Sequence, residues 1–320
     1  MRVCLMIEGQ EGVTWDQWVA LARACEASGY EGLFRSDHYL GFDRPGERGA
    51  LDAWTTIAAL GTMTERIRLG TMVSPVTFRH PALLAKSVVT ADHASGGRVE
   101  LGMGAGWFDD EHRAYGFPFP AAGERMVMLA EQIEIVHRLW GGDDDEVSFD
   151  GAHYQLESCP TVPAPLQRPH PPLIVGGHAG PKAAAIAARW ADEYDLVGGA
   201  PDEVRAGIGR IADACAAIGR DPASIRRSVM LQTVVGADEA ELRDRATGAM
   251  AVFGEDGDPD PYLDDLRTNA LAGTPEQVLE RLAVYADAGV DRVLMQHLAH
   301  EDLDSVGLIG REIVPAAAGL

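Results

Sequence analysis

The stretch IRLGTMVSPVTFRHPALLAKSVVTADHASGGRVELGMG, residues 67–104, decides the fold of this chain. Its two ends, 67–73 and 98–104, are short apolar runs of the kind that form buried strands. The segment 81–94 between them begins with a proline, which suits the first turn of a helix. Two buried strands joined by a helix make a parallel strand–helix–strand unit.

The same alternation continues along the rest of the chain. Further strands are predicted at 2–8, 31–36, 172–177, 193–199, 226–236 and 290–296. Further helices are predicted at 14–28, 51–63, 181–190, 201–218, 237–251, 274–288 and 301–313. Eight strands alternating with helices favour an α/β fold of the closed (β/α)8 type, the TIM barrel. We expect a single domain over residues 1–320.

Two stretches interrupt the alternation of strands and helices and are predicted to be insertions. The first, about 141–171, follows strand 4 and combines an acidic turn, two alternating runs around Gly151 and a proline-rich run, so a β-hairpin is expected. The second, GEDGDPDPYLDD at 254–265, follows helix 7 and is interpreted as an irregular, mobile loop.

Composition excludes several classes of function. The net charge of −22 argues against nucleic acid as a partner, because phosphate binding depends on clustered lysine and arginine. No apolar run approaches the ~18 residues of a membrane span. Four scattered cysteines without close spacing indicate buried, reduced thiols and a cytoplasmic protein. Histidines lack the HxH or HExxH spacing of a metal site, so no metal is expected.

In barrels of this type, the active site lies where the strands end. His38, beside Asp37, follows strand 2 directly. A histidine there is either a structural residue or a proton-transfer group, since its ordinary pKa of about 6.5 suits both proton donation and acceptance. Its position favours the second interpretation.

Glycines follow the next strands of the predicted barrel. GGHAGPK, after strand 5, is either a phosphate site at a helix start or a tight turn. GMGAGW, after strand 4, resembles a dinucleotide fingerprint only weakly, and close approach of the backbone to a flat ligand explains it equally well.

The chain shows few motifs that mark a catalytic nucleophile of its own. It has no GxSxG motif, and its two lysines, Lys86 and Lys182, lie in predicted helices, which disfavours a Schiff-base aldolase. A cofactor is therefore expected to supply the reactivity.

Several stretches together resemble a known family. GYEGLFRSDHYL, the run from RIRLGTMVSPVTFRHP through GGRVELGMGAGWFDDEHRAYGF, FDGAHYQL and PPLIVGG are similar to the luciferase-like flavin/deazaflavin oxidoreductases. Within them, the chain most resembles the actinobacterial branch that uses coenzyme F420. The resemblance extends from strand 1 to about residue 199. FMN-dependent members share most of these motifs.

The resemblance implies roles for particular residues. His38 would lie by the deazaflavin ring as the proton-transfer group, with Asp37 near the cofactor. A non-prolyl cis peptide at Met72–Val73 would back the ring. The glycines after strands 4 and 5 would lie near the side chain and phosphate of the ring, with Gly176, Gly177 and Gly180 as the phosphate site. The residues assigned to the cofactor after strand 4 are Gly104, Gly106, Trp107 and Asp110.

Two departures from the sugar-phosphate dehydrogenases of this family limit the substrate. Their second catalytic glutamate corresponds to Trp107 here, and a tryptophan after their histidine corresponds to Phe42. A sugar phosphate is therefore not expected, and His38 is expected to act without that second acid.

Trp107, Phe42, Tyr39 and Phe78 either line an apolar substrate pocket or pack the barrel mouth. Arg35, Arg44, Arg48 and Arg79 are either partners of the anionic F420 tail or ordinary structural arginines.

The function expected from these features is F420-dependent oxidation or reduction of a small organic molecule. Hydride would pass between the deazaflavin C5 and the substrate, with His38 assisting proton transfer. The alternatives are an FMN-dependent two-component monooxygenase and a flavin-binding barrel without turnover. A homodimer is expected.

Overall fold

The computed structural model describes residues 1–42, 48–141 and 145–320. In chain order, its strands are β1 (Arg2–Ile7), β2 (Gly32–Arg35), β3 (Arg68–Thr71), β4 (Ser74–Pro75), β5 (Val99–Gly104), β6 (Glu146–Asp150), β7 (Gln155–Pro160), β8 (Leu173–Gly177), β9 (Glu193–Val197), β10 (Arg226–Val235), β11 (Leu271–Gly273) and β12 (Arg292–Gln296). Strands β1, β2, β3, β5, β8, β9, β10 and β12 pair in parallel in this order, and β12 returns to β1. The predicted (β/α)8 barrel is confirmed.

Helices surround the barrel between these strands. They are α1 (Trp15–Ser28), α2 (Ala53–Gly61), α3 (Pro81–Ser95), α4 (Asp109–Tyr115), α5 (Ala122–Gly141), α6 (Pro181–Trp190), α7 (Pro201–Ala217), α8 (Glu239–Val252), α9 (Asp260–Asn269), α10 (Pro275–Asp287), α11 (Leu303–Leu308) and α12 (Val314–Ala317), with a 3₁₀ turn at Pro222–Ser224 and a π turn at Ile309–Ile313. In the parts of the chain described, no helix has both the length and the apolar character needed to cross a bilayer.

Side chains of the barrel strands alternate between two cores. The larger core packs the outward residues, such as Val3 and Leu5 of β1, against the helices. A smaller cluster of inward residues fills the barrel below its C-terminal rim and consists of Cys4, Met6, Phe34, Met72, Ile174 and Leu294. Because the strands are parallel, the residues that follow them gather at this one rim.

The first insertion has the predicted form. β6 and β7 pair as an antiparallel hairpin around Gly151, between α5 and β8. Its residues 142–144 lie outside the described residues.

The second insertion corrects the prediction of an irregular loop at 254–265. Its second half belongs to α9, which begins at Asp260. Prolines at 259 and 261 suggested a break, but the first helical turn needs no partner for its N–H groups and therefore tolerates them. Leu263 and Leu266 of this helix pack against α8 and β10 residues in a satellite core.

An ionic network closes the opposite, N-terminal end of the barrel. The guanidinium of Arg292 is completely buried and contacts Glu100 at 2.7 Å and Glu193 at 2.9 Å. Arg68 and Arg226 contact the same carboxylates from the periphery of this N-terminal end: Arg68 contacts Glu100, and Arg226 contacts Glu193. Burial works against the Glu100 carboxylate, but Arg292 and Arg68 outweigh it and lower its pKa. At Glu193 burial outweighs Arg292 and raises the pKa, so the arginines compensate the charge of Glu100 more fully than that of Glu193.

Asp195 lies inside the barrel two residues beyond Glu193 on β9. Its Oδ1 accepts a hydrogen bond from the Ser228 hydroxyl at 2.9 Å, whereas its buried Oδ2 has no partner among the described residues. Burial raises the pKa of Asp195 to about 8. This carboxyl group is therefore mostly neutral at pH 7.

We expect Asp195 to make the protein less stable as pH rises. Between the unfolded pKa of ~3.9 and the folded value, the folded chain binds more protons than the unfolded chain, so the free energy of unfolding falls with pH. This group should remove about 2–4 kcal/mol between pH 5 and pH 9, and Asp195→Asn should abolish that loss. Urea unfolding of both proteins at both pH values measures it. Identical pH dependence in the two proteins would contradict the assignment.

Candidate active site

A cavity of about 600 Å³ opens at the C-terminal rim of the barrel. Of the predicted site residues, it brings together His38, Met72, Val73, Gly104, Gly106, Trp107, Gly176 and Gly177. Asp37, Asp110 and Gly180 do not line it. Most of the predicted set thus converges on one cavity of a size typical for small-molecule sites.

His38 stands at the edge of this cavity with a carboxylate behind it. Its Nδ1 lies 2.7 Å from Oε2 of Glu111, whose side chain is fully buried. The other oxygen of Glu111 accepts hydrogen bonds from the backbone N–H groups of Tyr39 and Leu40. Glu111 therefore fixes both the imidazole and the loop that carries it.

The charge of Glu111 also affects the protonation of His38. Burial lowers the pKa of the imidazole, but the hydrogen bond and charge of Glu111, helped by Glu8 and Asp37, outweigh this effect and raise it. With Nδ1 engaged by Glu111, Nε2 is the nitrogen left to face a ligand, and no described residue bonds to it. This arrangement suits a group that holds or releases a proton near neutral pH.

Glu111 is an acidic partner of His38 that the sequence analysis did not include. The position of Trp107 indeed holds no acid, but Glu111, on α4, supplies a carboxylate four residues later. Sequence reasoning missed it because Asp109, Asp110 and Glu111 form an undifferentiated acidic run. The signal that could have found it is helical geometry. A helix that begins at the rim turns only some of its consecutive residues toward the barrel, and Glu111 is one of these.

Asp37 is buried but has a structural role. Its carboxylate contacts the guanidinium of Arg79 and accepts a hydrogen bond from the Ser74 hydroxyl at 2.6 Å. Arg79 also contacts Asp52 at 2.6 Å and the hydroxyl of Tyr39 at 2.8 Å. This ionic cluster ties the loop after β2 to α2 and so holds His38 in place.

The arginines proposed for an anionic tail are engaged elsewhere. Arg35 is buried against Trp18 and donates to backbone carbonyls, including that of Leu51. Arg48 pairs with Glu11 at 2.8 Å. With Arg79 in its own cluster, these three are structural, and Arg44 lies outside the described residues.

The floor of the cavity is apolar. The peptide Met72–Val73 is cis, as predicted. The side chain of Val73 lies so close to β5 and β8 that a Cβ on Gly104 would be 2.6 Å from its Cγ2, and one on Gly176 would be 2.8 Å from its Cγ1. These two glycines are therefore required by packing against Val73, whereas the φ of +148° at Gly177 requires glycine for backbone reasons.

Aromatic rings form the wall beside His38. Phe42 and Trp107 lie edge-on to the imidazole at 5.5 and 5.8 Å between ring centroids, and both line the cavity. Tyr39 and Phe78 instead stack on each other at 5.4 Å outside it. The predicted aromatic set thus divides into two wall residues and two residues that pack the barrel mouth.

The two remaining predicted residues lie at the surface. Asp110 is exposed on α4 and pairs with Arg113 at 3.1 Å. Gly180 is the N-cap of α6, next to the cavity-lining pair Gly177 and His178. Among the described residues, no group of three or more histidine, cysteine or carboxylate side chains could hold a metal ion.

Comparisons with known proteins find relatives that span most of the chain. The family model described as luciferase-like monooxygenase matches residues 2–292. An FMNH2-dependent dimethylsulfone monooxygenase of Pseudomonas putida is 29% identical over 92% of this chain and 86% of its own. An F420-dependent glucose-6-phosphate dehydrogenase of Microbacterium testaceum is 28% identical over 91% and 90%.

A solved structure shows the same fold. An F420-dependent secondary alcohol dehydrogenase in complex with an F420–acetone adduct superimposes with a TM-score of 0.84 over 99% of this chain and 98% of that one, at 20% sequence identity. At this identity the likeness concerns the fold alone.

Proposed function

Because the chain belongs to the luciferase-like monooxygenase family, we propose that it is an oxidoreductase that binds coenzyme F420 in the rim cavity and acts on a small organic molecule. The observation that carries this proposal is the His38–Glu111 pair at the edge of an apolar cavity. Relatives named as F420-dependent dehydrogenases, aligned over about nine-tenths of both chains, support the choice of cofactor.

The cavity fits a flat tricyclic ring with a phosphorylated tail. Val73, Gly104 and Gly176 offer a smooth, apolar floor, and Gly177 and His178 lead from it to the start of α6. Beyond His178, a second groove of about 460 Å³ is lined by Arg210, by Glu203 and by the backbone of Gly198 and Gly199. Arg210 donates there to the backbone carbonyls of Ala179 and His178. These residues would hold the ring and the anionic tail, respectively.

The deazaflavin, when bound, supplies a carbon that exchanges hydride with the substrate. The chain's own residues do the rest. Glu111 holds Nδ1 of His38, so that Nε2 carries the mobile proton at the cavity edge. Phe42 and Trp107 present apolar surface to the substrate at that edge.

An FMN-dependent monooxygenase served by a partner reductase is the second candidate. It is favoured by the 29% identity to the dimethylsulfone monooxygenase. Assembly into a homodimer, a single domain over residues 1–320 and residence in the cytoplasm stay predictions.

Separate titrations with F420 and with FMN test the proposal. We expect the purified chain to bind F420 at least tenfold more tightly than FMN, a difference of about 1.4 kcal/mol, because Arg210 would pair with the additional anionic groups that the F420 tail carries beyond its phosphate. Fluorescence of each cofactor and equilibrium dialysis give the two affinities. Tighter binding of FMN together with oxygen-dependent turnover would establish the second candidate instead. Tight binding without turnover of any substrate would indicate a binding protein.

A further inference from the structure

Glu8 places a buried carboxylate on the cavity wall. It follows β1, is only 6% exposed and lines the cavity. Its Oε2 accepts a hydrogen bond from Nε2 of Gln10 at 2.8 Å, and its Oε1 accepts one from Nε2 of Gln296. Gln10 is in turn held by the Ser36 hydroxyl at 2.5 Å. The carboxylate is therefore fixed by neutral amide groups.

No lysine or arginine pairs with this carboxylate in the described parts of the chain, although its charge acts on the nearby His38. Two other buried acids near the rim do have an arginine partner: Glu11 pairs with Arg48, and Asp37 pairs with Arg79. Glu8 forms no such pair, and no described lysine or arginine lines the cavity. Two amide groups hold this carboxyl group in place but bring no positive charge, so the cavity side of Glu8 suits a positively charged group of a ligand.

Glu8 lies on the side of the cavity where His38 acts. The two residues follow the adjacent strands β1 and β2, and Gln296 ends β12 on the other side of β1. The charge of Glu8 is among those that raise the pKa of His38. The glycine-rich floor is formed by β5 and β8, away from these strands. Glu8 is thus placed toward the substrate that faces His38 and away from the cofactor floor.

We propose that Glu8 recognises a protonated nitrogen on the substrate, so that the substrate class is a small apolar organic cation, such as an amine or an iminium compound. This inference rests on the proposed function, since it takes the rim cavity as the substrate site. Phe42 and Trp107 fit the same class, because aromatic faces attract cations and bury apolar groups. An anionic sugar phosphate would meet a carboxylate there instead of a lysine or arginine.

Binding of three ligands of one shape and different charge tests this proposal. Benzylamine is a cation at pH 7, benzyl alcohol is neutral and benzoate is an anion. We expect the cofactor-loaded chain to bind benzylamine at least tenfold more tightly than benzyl alcohol, a difference of about 1.4 kcal/mol, and benzoate most weakly. Isothermal titration calorimetry measures all three. Equal affinity for benzylamine and benzyl alcohol would overturn the proposal without any variant.

Two variants locate the charge preference. Glu8→Gln should bind benzylamine and benzyl alcohol equally, whereas Glu157→Gln, an exposed acid on the hairpin, should retain the preference. Persistence of the preference in Glu8→Gln would also overturn the proposal. Weaker F420 binding in Glu8→Gln with an unchanged amine preference would assign Glu8 to the cofactor.

Failure of the proposed function gives a different result. If the wild-type chain binds no F420, the ligand titrations are made with FMN or with the chain alone, and they still report the charge preference. A preference for benzylamine there supports the role of Glu8 while the choice of cofactor fails.

Discussion

Replacing His38 with alanine is expected to slow the reaction of the cofactor-loaded protein by about 10²- to 10⁴-fold, the usual contribution of a positioned proton-transfer group. The affinity for the cofactor should stay unchanged, because the imidazole stands at the cavity edge and the floor is made by Val73 and the glycines. Single-turnover absorbance measures the rate, and cofactor titration measures the affinity. An unchanged rate with cofactor bound would refute the assignment. His153→Ala, an exposed histidine outside the cavity, is the matched control.

The Glu111→Gln variant tests whether the negative charge of Glu111 affects the reaction, in the same single-turnover experiment repeated over a range of pH. Glutamine is the same size, and with its oxygen on the backbone N–H groups of Tyr39 and Leu40 its NH2 can donate to an unprotonated Nδ1 of His38. It lacks the charge that helps to raise the pKa of the imidazole. The limb of the pH–rate profile that reports His38 should therefore move to lower pH. A profile that keeps its pH dependence would make Glu111 a packing residue only.

Replacing Arg292 with methionine should have the largest effect on stability. Arg292 is the shared partner of Glu100 and Glu193 at the closed end of the barrel, and its side chain is fully buried. Removing it leaves two buried carboxylates with too little compensation, which should cost about 3–5 kcal/mol of unfolding free energy. Urea unfolding at pH 7 measures this loss.

The matched control for that prediction is an exposed arginine. Arg113 pairs with Asp109 and Asp110 on the surface of α4, and 68% of its side chain is exposed. Arg113→Met should leave the urea midpoint of unfolding almost unchanged, because solvent screens such pairs. Similar losses in the two variants would mean that the buried network contributes no more than a surface ion pair.

Local rules in the sequence were sufficient for the barrel. Thr14 caps α1 with Gln17 completing the box, Gly29 ends it in the left-handed region, and Pro81 opens α3. These signals are local, and so is the alternation of strands and helices. The helix at Asp260–Asn269 was missed because its prolines are breakers inside a helix but acceptable in its first turn.

The active site was predictable only in part. The position of His38 follows from strand order, because a residue after a barrel strand lies at the rim. Its partner Glu111 is 73 residues away along the chain, and only the packing of α4 against the loop after β2 brings the two together. Likewise, no sequence pattern shows that the carboxylate after β2, Asp37, pairs with Arg79 and does not contact the cofactor.

Val73 has a consequence for how this chain can change by mutation. Its two methyl groups occupy the space that side chains at 104 and 176 would need. A larger residue at 104 or 176 is therefore tolerated only after Val73 has been replaced by a smaller residue. If position 104 or 176 changes first, the new side chain clashes with Val73. We therefore expect correlated substitutions at positions 73, 104 and 176 among related proteins, although these positions are up to 103 residues apart along the chain.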